Sequence, residues 1–346
     1  MFLLGISGRA AFDPLILLLL ALIVDAFTGG IVNSARLTRH PVNLLRAAVL
    51  WCDRKLNRPH RGEMDRAMRG LVATLILLGL AAAFGWLIAW ASQSMPLMWI
   101  VEAVLVLLLI DQRSVHRRVR RVGAALYADS LDAARLDLEP LAPGTAGRMD
   151  AHAVARTGIE SGARALAAGV VAPAFWYVLF GFPGLMVFKL LSVMDENVGH
   201  RTAQHRAFGF TAARTNDILL FIPARIAGFL VVLAGLFVPT TYPKSSLATM
   251  LRDARKYRST NLGWPVGAMA GALGLSLAGP RATGNGIGNG ETGNSNEPWL
   301  GAGSARATAL DVRRALYIFA IACLINGFWI AGLMVLRLFD GGPGWL

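Results

Sequence analysis

Residues 169–225 hold the feature that most limits how this chain can fold. An apolar run is interrupted there by Pro173, Gly181, Pro183 and Gly184, and is then followed by clustered charges. The run is hydrophobic enough for bilayer depth, but proline removes a backbone donor and clashes with the preceding turn, so one straight helix does not account for it. At membrane depth, backbone freed from a helix has to be buried in protein or line a wet cavity. Lys189, Asp195, Glu196, Asn197, His200 and Arg201 follow at once, then Arg214, Asn216, Asp217 and Arg225 around a second apolar run. Ionised groups this close to membrane-depth segments are costly unless they pair, face water or hold a ligand. The stretch therefore reads as the wall and floor of a polar site.

Composition agrees with a membrane setting. Of 346 residues 55% are hydrophobic and only 16% charged, and the mean hydropathy of +0.51 lies well above that of an ordinary soluble domain. The expected fold class is all-α, a polytopic integral membrane protein of five to seven membrane helices with one re-entrant or broken segment. A net charge of +13 would suit a nucleic-acid binder, but in a polytopic chain excess Lys and Arg sit in cytoplasmic loops beside anionic lipid, so no nucleic-acid partner is expected. Cys52 and Cys323 have no metal-type spacing and suggest no disulfide framework.

In chain order, Pro14 to Phe27 reads as a first membrane helix with an ionisable group, Asp25, near its end, a candidate site residue. Arg36 to Arg69 is Arg-rich and amphipathic, an interfacial helix. Leu71 to Ala91 and Met95 to Ile110 make a helical hairpin, the second limb short and interrupted by Glu102. The basic cluster Arg113, Arg117, Arg118, Arg120 and Arg121 places the following end in the cytoplasm. Residues 122–168 read as a cytoplasmic helical insert, with Arg156 and Glu160 one turn apart on one face, either a surface ion pair or part of a site. Ile218 to Val238 and Ala315 to Leu338 are later spans. Residues 261–272 are rich in small side chains, as in a packed or re-entrant helix. Residues 281–306 read as a flexible Gly/Asn-rich loop whose glycines lack the Lys-Ser/Thr of a phosphate cradle. The whole chain reads as one membrane domain, and no inverted repeat of the transporter kind is visible.

Six blocks resemble a known family: MDAHAVARTGIES from Met149, GVVAPAFW from Gly169, FKLLSVMDENVGHR from Phe188, FGFTAARTNDILLFIPAR from Phe208, NLGWPVGAMAGALGL from Asn261 and DVRRAL from Asp311. In this order they look like the CobD/CbiB family, the membrane-bound adenosylcobinamide-phosphate synthases of cobalamin biosynthesis. The resemblance implies an ATP- and Mg²⁺-dependent amide ligation between a carboxylate of adenosylcobyric acid, a corrinoid, and the amine of (R)-1-aminopropan-2-ol or its phosphate. It also implies a bacterial inner-membrane protein whose site faces the cytoplasm, among membrane lipid and other membrane proteins of the pathway. Carried over by position, Asp195, Glu160 and Asp217 fall on acidic motif positions, with Asp195 and Glu160 expected in base or metal work. Lys189, Arg201 and Arg214 fall on basic positions expected to hold phosphate, Asn261 and Trp264 fall on the Asn-x-Gly-Trp-Pro motif, and His200 is a further candidate.

The chain departs from the family pattern as well. Where the family reads Glu-Ser-x-Ala-Glu-Asn-(Thr/Ser)-x-Asp-Gly, this sequence has Glu160, Ser161, Gly162, Ala163, Arg164, Ala165, Leu166, Ala167, Ala168 and Gly169. A Glu, an Asn and an Asp are lost together, and the paired Asp-Asp has become Asn216-Asp217. Two functions therefore follow from the resemblance: the ligase, and a divergent paralogue that binds corrinoid or assists assembly in the membrane without ligation.

Overall fold

A computed structural model of the chain describes residues 13–28, 40–58, 60–199, 202, 204–282, 294–295 and 297–340. These residues form an all-α polytopic membrane protein. Four helical segments are long and apolar enough to cross a membrane, namely Glu63–Ser94, Ala151–Val198, Phe210–Gly235 and Ala309–Arg337, and Pro14–Phe27 is a shorter apolar helix. Of the five to seven expected segments, these four reach spanning length among the described residues. The limb Met98–Leu109 is 12 residues long, about 18 Å of rise against a hydrocarbon core near 30 Å. Gly263–Leu273 is 11 residues long and buried at every position but Trp264, so its apolar surface faces protein.

The helices are α1 (Pro14–Thr28), α2 (Pro41–Leu56), α3 (Glu63–Ser94), α4 (Met98–Leu109), α5 (Gln112–Tyr127), α6 (Leu131–Leu138) and α7 (Ala151–Ala165). After a π-helical turn, Leu166–Val171, come α8 (Ala172–Val198), α9 (Phe210–Gly235), α10 (Pro243–Asp253), α11 (Gly263–Leu273) and α12 (Ala309–Asp340). Glu63 and Asp65 open α3 where the partial positive end of a helix favours carboxylates. Leu75, Ile76, Leu80 and Trp86 then stand exposed, the outward face of a lipid-embedded helix. Between α11 and α12 the chain makes two short antiparallel pairs, Leu277 and Ala278 against Leu300 and Trp299, and residues 281–282 against 294–295. The rest of the Gly/Asn-rich loop expected at 281–306 falls partly outside the described residues, as do His200 and Arg201.

The predicted broken segment is the centre of the structure. From Ala151 to Val198 the backbone stays helical, but Gly181 takes φ +64° and ψ −153° and the chain turns sharply back. Lys189 reaches Asp111, whose amide donates to the Gly169 carbonyl, although 20 residues of straight helix would hold Gly169 and Lys189 about 30 Å apart. A Cβ on Gly184 would lie 2.5 Å from the Trp176 carbonyl oxygen, so the two limbs touch through backbone at the bend. The returning limb lies along α3. A Cβ on Gly85 would come within 2.6 Å of Pro183 Cα, and one on Gly70 would meet the Phe208 carbonyl. Small residues allow this approach of backbones inside a bilayer. Gly70 and Gly85 are about 22 Å apart along the helix axis, so the bend sits within the apolar length of α3 and not beyond it.

Residues 122–168 contribute α6 and α7, and part of α7 enters the core. Ala155, Ile159, Ala163 and Leu166 share one core with Ala224, Val231, Val266 and Ile318. The Ala/Gly composition of α7 explains this: Gly158 and Gly162 lie against Val122 and Val119, so α5 packs close across it. The Asp150 carboxylate caps the helix by accepting from the Ala153 amide at 2.6 Å.

The bend requires a conformation open essentially to glycine alone. Gly181→Ala is expected to destabilise the protein by about 1–3 kcal/mol. Gly79→Ala, at an exposed helical position with nothing near its Cβ, is expected to be neutral or slightly stabilising. Thermal unfolding in detergent micelles compares the two; equal behaviour would remove the special status of Gly181.

Candidate functional site

Folding back at Gly181 gathers the polar residues of α7, α8 and α9 into two clusters. In the first, Glu160 on α7 is 1% exposed, and its Oε1 accepts a 2.5 Å hydrogen bond from the Tyr257 hydroxyl. Arg164 stands one helical turn on, within electrostatic range of Tyr257, Glu160, Glu196 and Glu297. Asp195 lies in range of the same guanidinium, and its Oδ2 accepts from Asn216 Nδ2 at 2.9 Å. A straight helix would place residues 164 and 195 about 46 Å apart, so the bend alone makes this a single site. Two buried atoms here have no hydrogen-bond partner among the described residues: Nε of Arg164 and Oδ1 of Asn216.

The edge of this cluster is built by α9. Asp217 is within electrostatic range of Asp195, and its carboxylate lies 3.8 Å from the exposed Arg214, which in turn covers the Phe210 ring. The Asp217 carbonyl accepts from Asn261 Nδ2 at 2.6 Å, and Asn261 Oδ1 accepts from Arg225 at 3.4 Å. Arg225 lies over the Phe221 and Trp264 rings, at 3.5 and 4.7 Å from their centroids. Asn261 and Trp264, the motif residues that the resemblance marks for substrate, meet α9 here, and the buried Trp264 indole Nε1 has no partner among the described residues. Arg156, one turn before Glu160, donates to the Ala305 carbonyl and lies over Trp299, while Glu160 turns to Tyr257.

The second cluster contains Lys189 and Asp25, away from Asp195. Lys189 Nζ is 2.9 Å from Asp111 Oδ2, and Asp111 Oδ1 accepts from the Ser114 hydroxyl at 3.2 Å. Asp25 Oδ2 accepts from the Arg113 amide at 3.0 Å, and His40 is in electrostatic range of Asp111 and Lys189. Burial pushes the Asp111 carboxyl up, but the Lys189 ammonium and the Ser114 hydroxyl outweigh it and hold the group below its ordinary value. The π-turn at Leu166–Val171 contributes as well: it departs from the regular helical ladder beside Asp111, where the Gly169 carbonyl takes the Asp111 amide.

Reading the sequence places Asn216 in the polar stretch without a role, and misses Arg164, Tyr257 and Asp111 as site residues. Asp111 had a usable signal, since an ionisable residue directly ends the apolar run 103–110. Tyr257 had none, because its partner Glu160 lies 97 residues away. Elsewhere, Asp53 on α2 receives His205 Nε2 at 3.3 Å and Asn57 Nδ2 at 2.8 Å, which pins α2 to the turn before α9. Among the described residues no three of His, Cys, Asp and Glu converge closely enough to hold a metal ion unaided.

Lys189 is buried but Asp111 keeps 32% of its side chain exposed, so Lys189→Met, which leaves that carboxylate unpaired but partly hydrated, is expected to cost about 1–3 kcal/mol, and adding Asp111→Asn to restore most of it. Because Asp111 is held below its ordinary value near 3.8, the pair's contribution is complete above that pH and is lost as pH falls through the lower folded value. Denaturation in micelles across pH tests both statements. A double variant as unstable as Lys189→Met would refute the pairing.

The comparisons with known proteins converge on one family. The family model described as CobD/Cbib protein matches residues 18–319. A protein named "Cobalamin biosynthesis protein CobD" from Sinorhizobium sp is 37% identical over 326 residues, covering 93% of this chain and 98% of its own length. One of the same name from Brucella suis biovar 1 is 36% identical, covering 93% and 97%, and one from Rhodobacter capsulatus is 33% identical, covering 81% and 84%. No solved structure matches the chain. A helical membrane protein with its family motifs gathered around one bend, matched over most of its length by these relatives, belongs to the CobD/CbiB family of cobalamin biosynthesis.

Proposed function

We propose that the protein is an ATP-dependent acid–amine ligase that joins a propionate carboxylate of adenosylcobyric acid to (R)-1-aminopropan-2-ol or its phosphate. The family supports cobalamin biosynthesis. The ligation itself is supported by one observation above others: the bend sets a carboxylate, Asp195, next to an amide, Asn216, and within range of a guanidinium, Arg164. Amide formation from a carboxylate needs a leaving group, which ATP supplies when bound by phosphorylating the carboxylate oxygen with release of ADP. The amine nitrogen then attacks the acyl carbon, the carbon–oxygen bond to phosphate breaks, and the ammonium proton has to go to a base.

Asp195 suits the base. Its Oδ2 is held by Asn216, and its Oδ1 accepts no hydrogen bond from the described residues. The Tyr257 hydroxyl fixes the Glu160 carboxylate in place beside Arg164. Mg²⁺ commonly takes one or two protein carboxylates together with nucleotide phosphates and water, and Asp217, half-exposed at the edge of the cluster, suits that role and leaves Asp195 free as the base. Arg214 at the exposed edge supplies positive charge towards phosphate, while Lys189 is committed to Asp111 in the second cluster. The proposed setting is the bacterial inner membrane, with the site open to cytoplasmic ATP.

A second reading has its own support. Residue 164 is Arg where the family pattern reads Glu, which favours a protein that binds corrinoid without ligating it. Purified protein given ATP, Mg²⁺, adenosylcobyric acid and the amino-alcohol phosphate separates the two. The ligase reading expects corrinoid-dependent ADP and an amide product, reduced about 100-fold or more in Asp195→Asn with the fold intact. Corrinoid binding without ADP would favour the second reading, and equal rates in Asp195→Asn would remove that residue from the chemistry.

A further inference from the structure

Two unmatched atoms in the first cluster have opposite requirements. Arg164 Nε is a buried donor that lacks an acceptor, and Asn216 Oδ1 is a buried acceptor that lacks a donor. Asn216 is 3% exposed and its other amide atom is committed to Asp195, so it cannot turn away to water without breaking that bond. Buried polar groups are otherwise paired almost everywhere in folded proteins, and exceptions call for a reason. The Asp195 carboxylate, which already holds the Asn216 amide, is a second acceptor in the same cluster, with its Oδ1 on the side of Gly199.

No single-ended ligand meets these demands. A phosphate or carboxylate alone would satisfy Arg164 and leave Asn216 and Asp195 facing it with acceptors only. A nucleotide phosphate has the same defect. A molecule with an anionic group at one end and an ammonium at the other meets all of them: guanidinium to anion, ammonium to the two acceptors. We propose that Arg164 is the residue that reads the anionic group of the small amine taken by this protein, with Asn216 and Asp195 receiving its ammonium. Resting on the ligase reading, this places the nucleophile's nitrogen on Asp195, the group proposed to take its proton. Arg164 then acts as a specificity determinant and takes no part in the bond changes.

Calorimetric titration of the full chain in micelles, with no ATP present, tests this apart from turnover. The probes are 1-aminopropan-2-ol phosphate, unphosphorylated 1-aminopropan-2-ol, propane-1,2-diol phosphate and a non-hydrolysable ATP analogue. Wild type is expected to bind the amino-alcohol phosphate at least about tenfold more tightly than either single-ended analogue. Arg164→Gln is expected to lose about 10- to 100-fold towards the amino-alcohol phosphate while leaving the unphosphorylated amine unchanged, and Arg164→Lys to restore part of the loss. Equal binding of the three small probes, or a loss in Arg164→Gln confined to the ATP analogue, would overturn the proposal. If Arg164→Gln does not fold, Asn216→Leu decides: its preference for the amino-alcohol phosphate over the diol phosphate is expected to fall, and an unchanged preference overturns the assignment. Discrimination without ligation would sink the ligase reading and leave this inference standing. Ligation without discrimination would do the reverse.

Discussion

The rest of the structure depends on the ion pair between Lys189 and Asp111. An ammonium carried on an apolar helix is tolerated when a counter-charge meets it, and here that counter-charge comes from a different part of the chain, at the start of α5. Closing this contact requires the helix to reverse, and reversal requires glycine at position 181. Everything polar that lies further out on the two limbs is then brought into register: Arg164 towards Asp195, and α9 against both. The pair and the bend form one device. Without the bend the two charges stay about 30 Å apart, and without the charges the returning limb has little besides apolar contacts, which lipid can replace.

Much of this was legible in the residues, for reasons that can be named. Pro183, Gly181 and Gly184 inside an apolar run announce broken helix, and a charge cluster directly after them announces a site, because both are local signals governed by the cost of unpaired polar groups in lipid. The direction in which the broken helix turns was not legible. Lys189 and Asp195 both stand on α8 and look alike as polar residues after an apolar run; they face different partners because a helix separates residues six apart onto different faces. Asn261 and Trp264 stand out in the residues only as a motif; that Asn261 also ties α11 to α9 through the Asp217 carbonyl depends on a contact across 44 residues. Residues 122–168 looked soluble because Ala and Gly are weakly apolar on any scale. In the folded chain the same smallness is what admits α7 to the core beside α5.

The first cluster also shows how one substitution reorganises a site. Glu160, Glu196, Glu297 and Asp195 all lie in range of Arg164, so this guanidinium is the positive centre of an acidic neighbourhood. A carboxylate at the same position would need a cation from outside. With Arg164 the neighbourhood carries part of its own neutralisation, and the Tyr257 hydroxyl holds Glu160 in place without adding charge.

The close approaches to α3 limit what can move at the first cluster. At Gly85 the backbone of α3 meets Pro183 of the returning limb, and at Gly70 it meets Phe208 in the turn before α9, with no side chain between them. α9 closes on α11 in the same way, since a Cβ on Gly228 would lie 3.3 Å from the Trp264 backbone. Backbone against backbone leaves no slack for sliding or tilting. Any change of shape beside Asp195 therefore falls to side chains such as Asn216, and the helices act as a fixed frame around them.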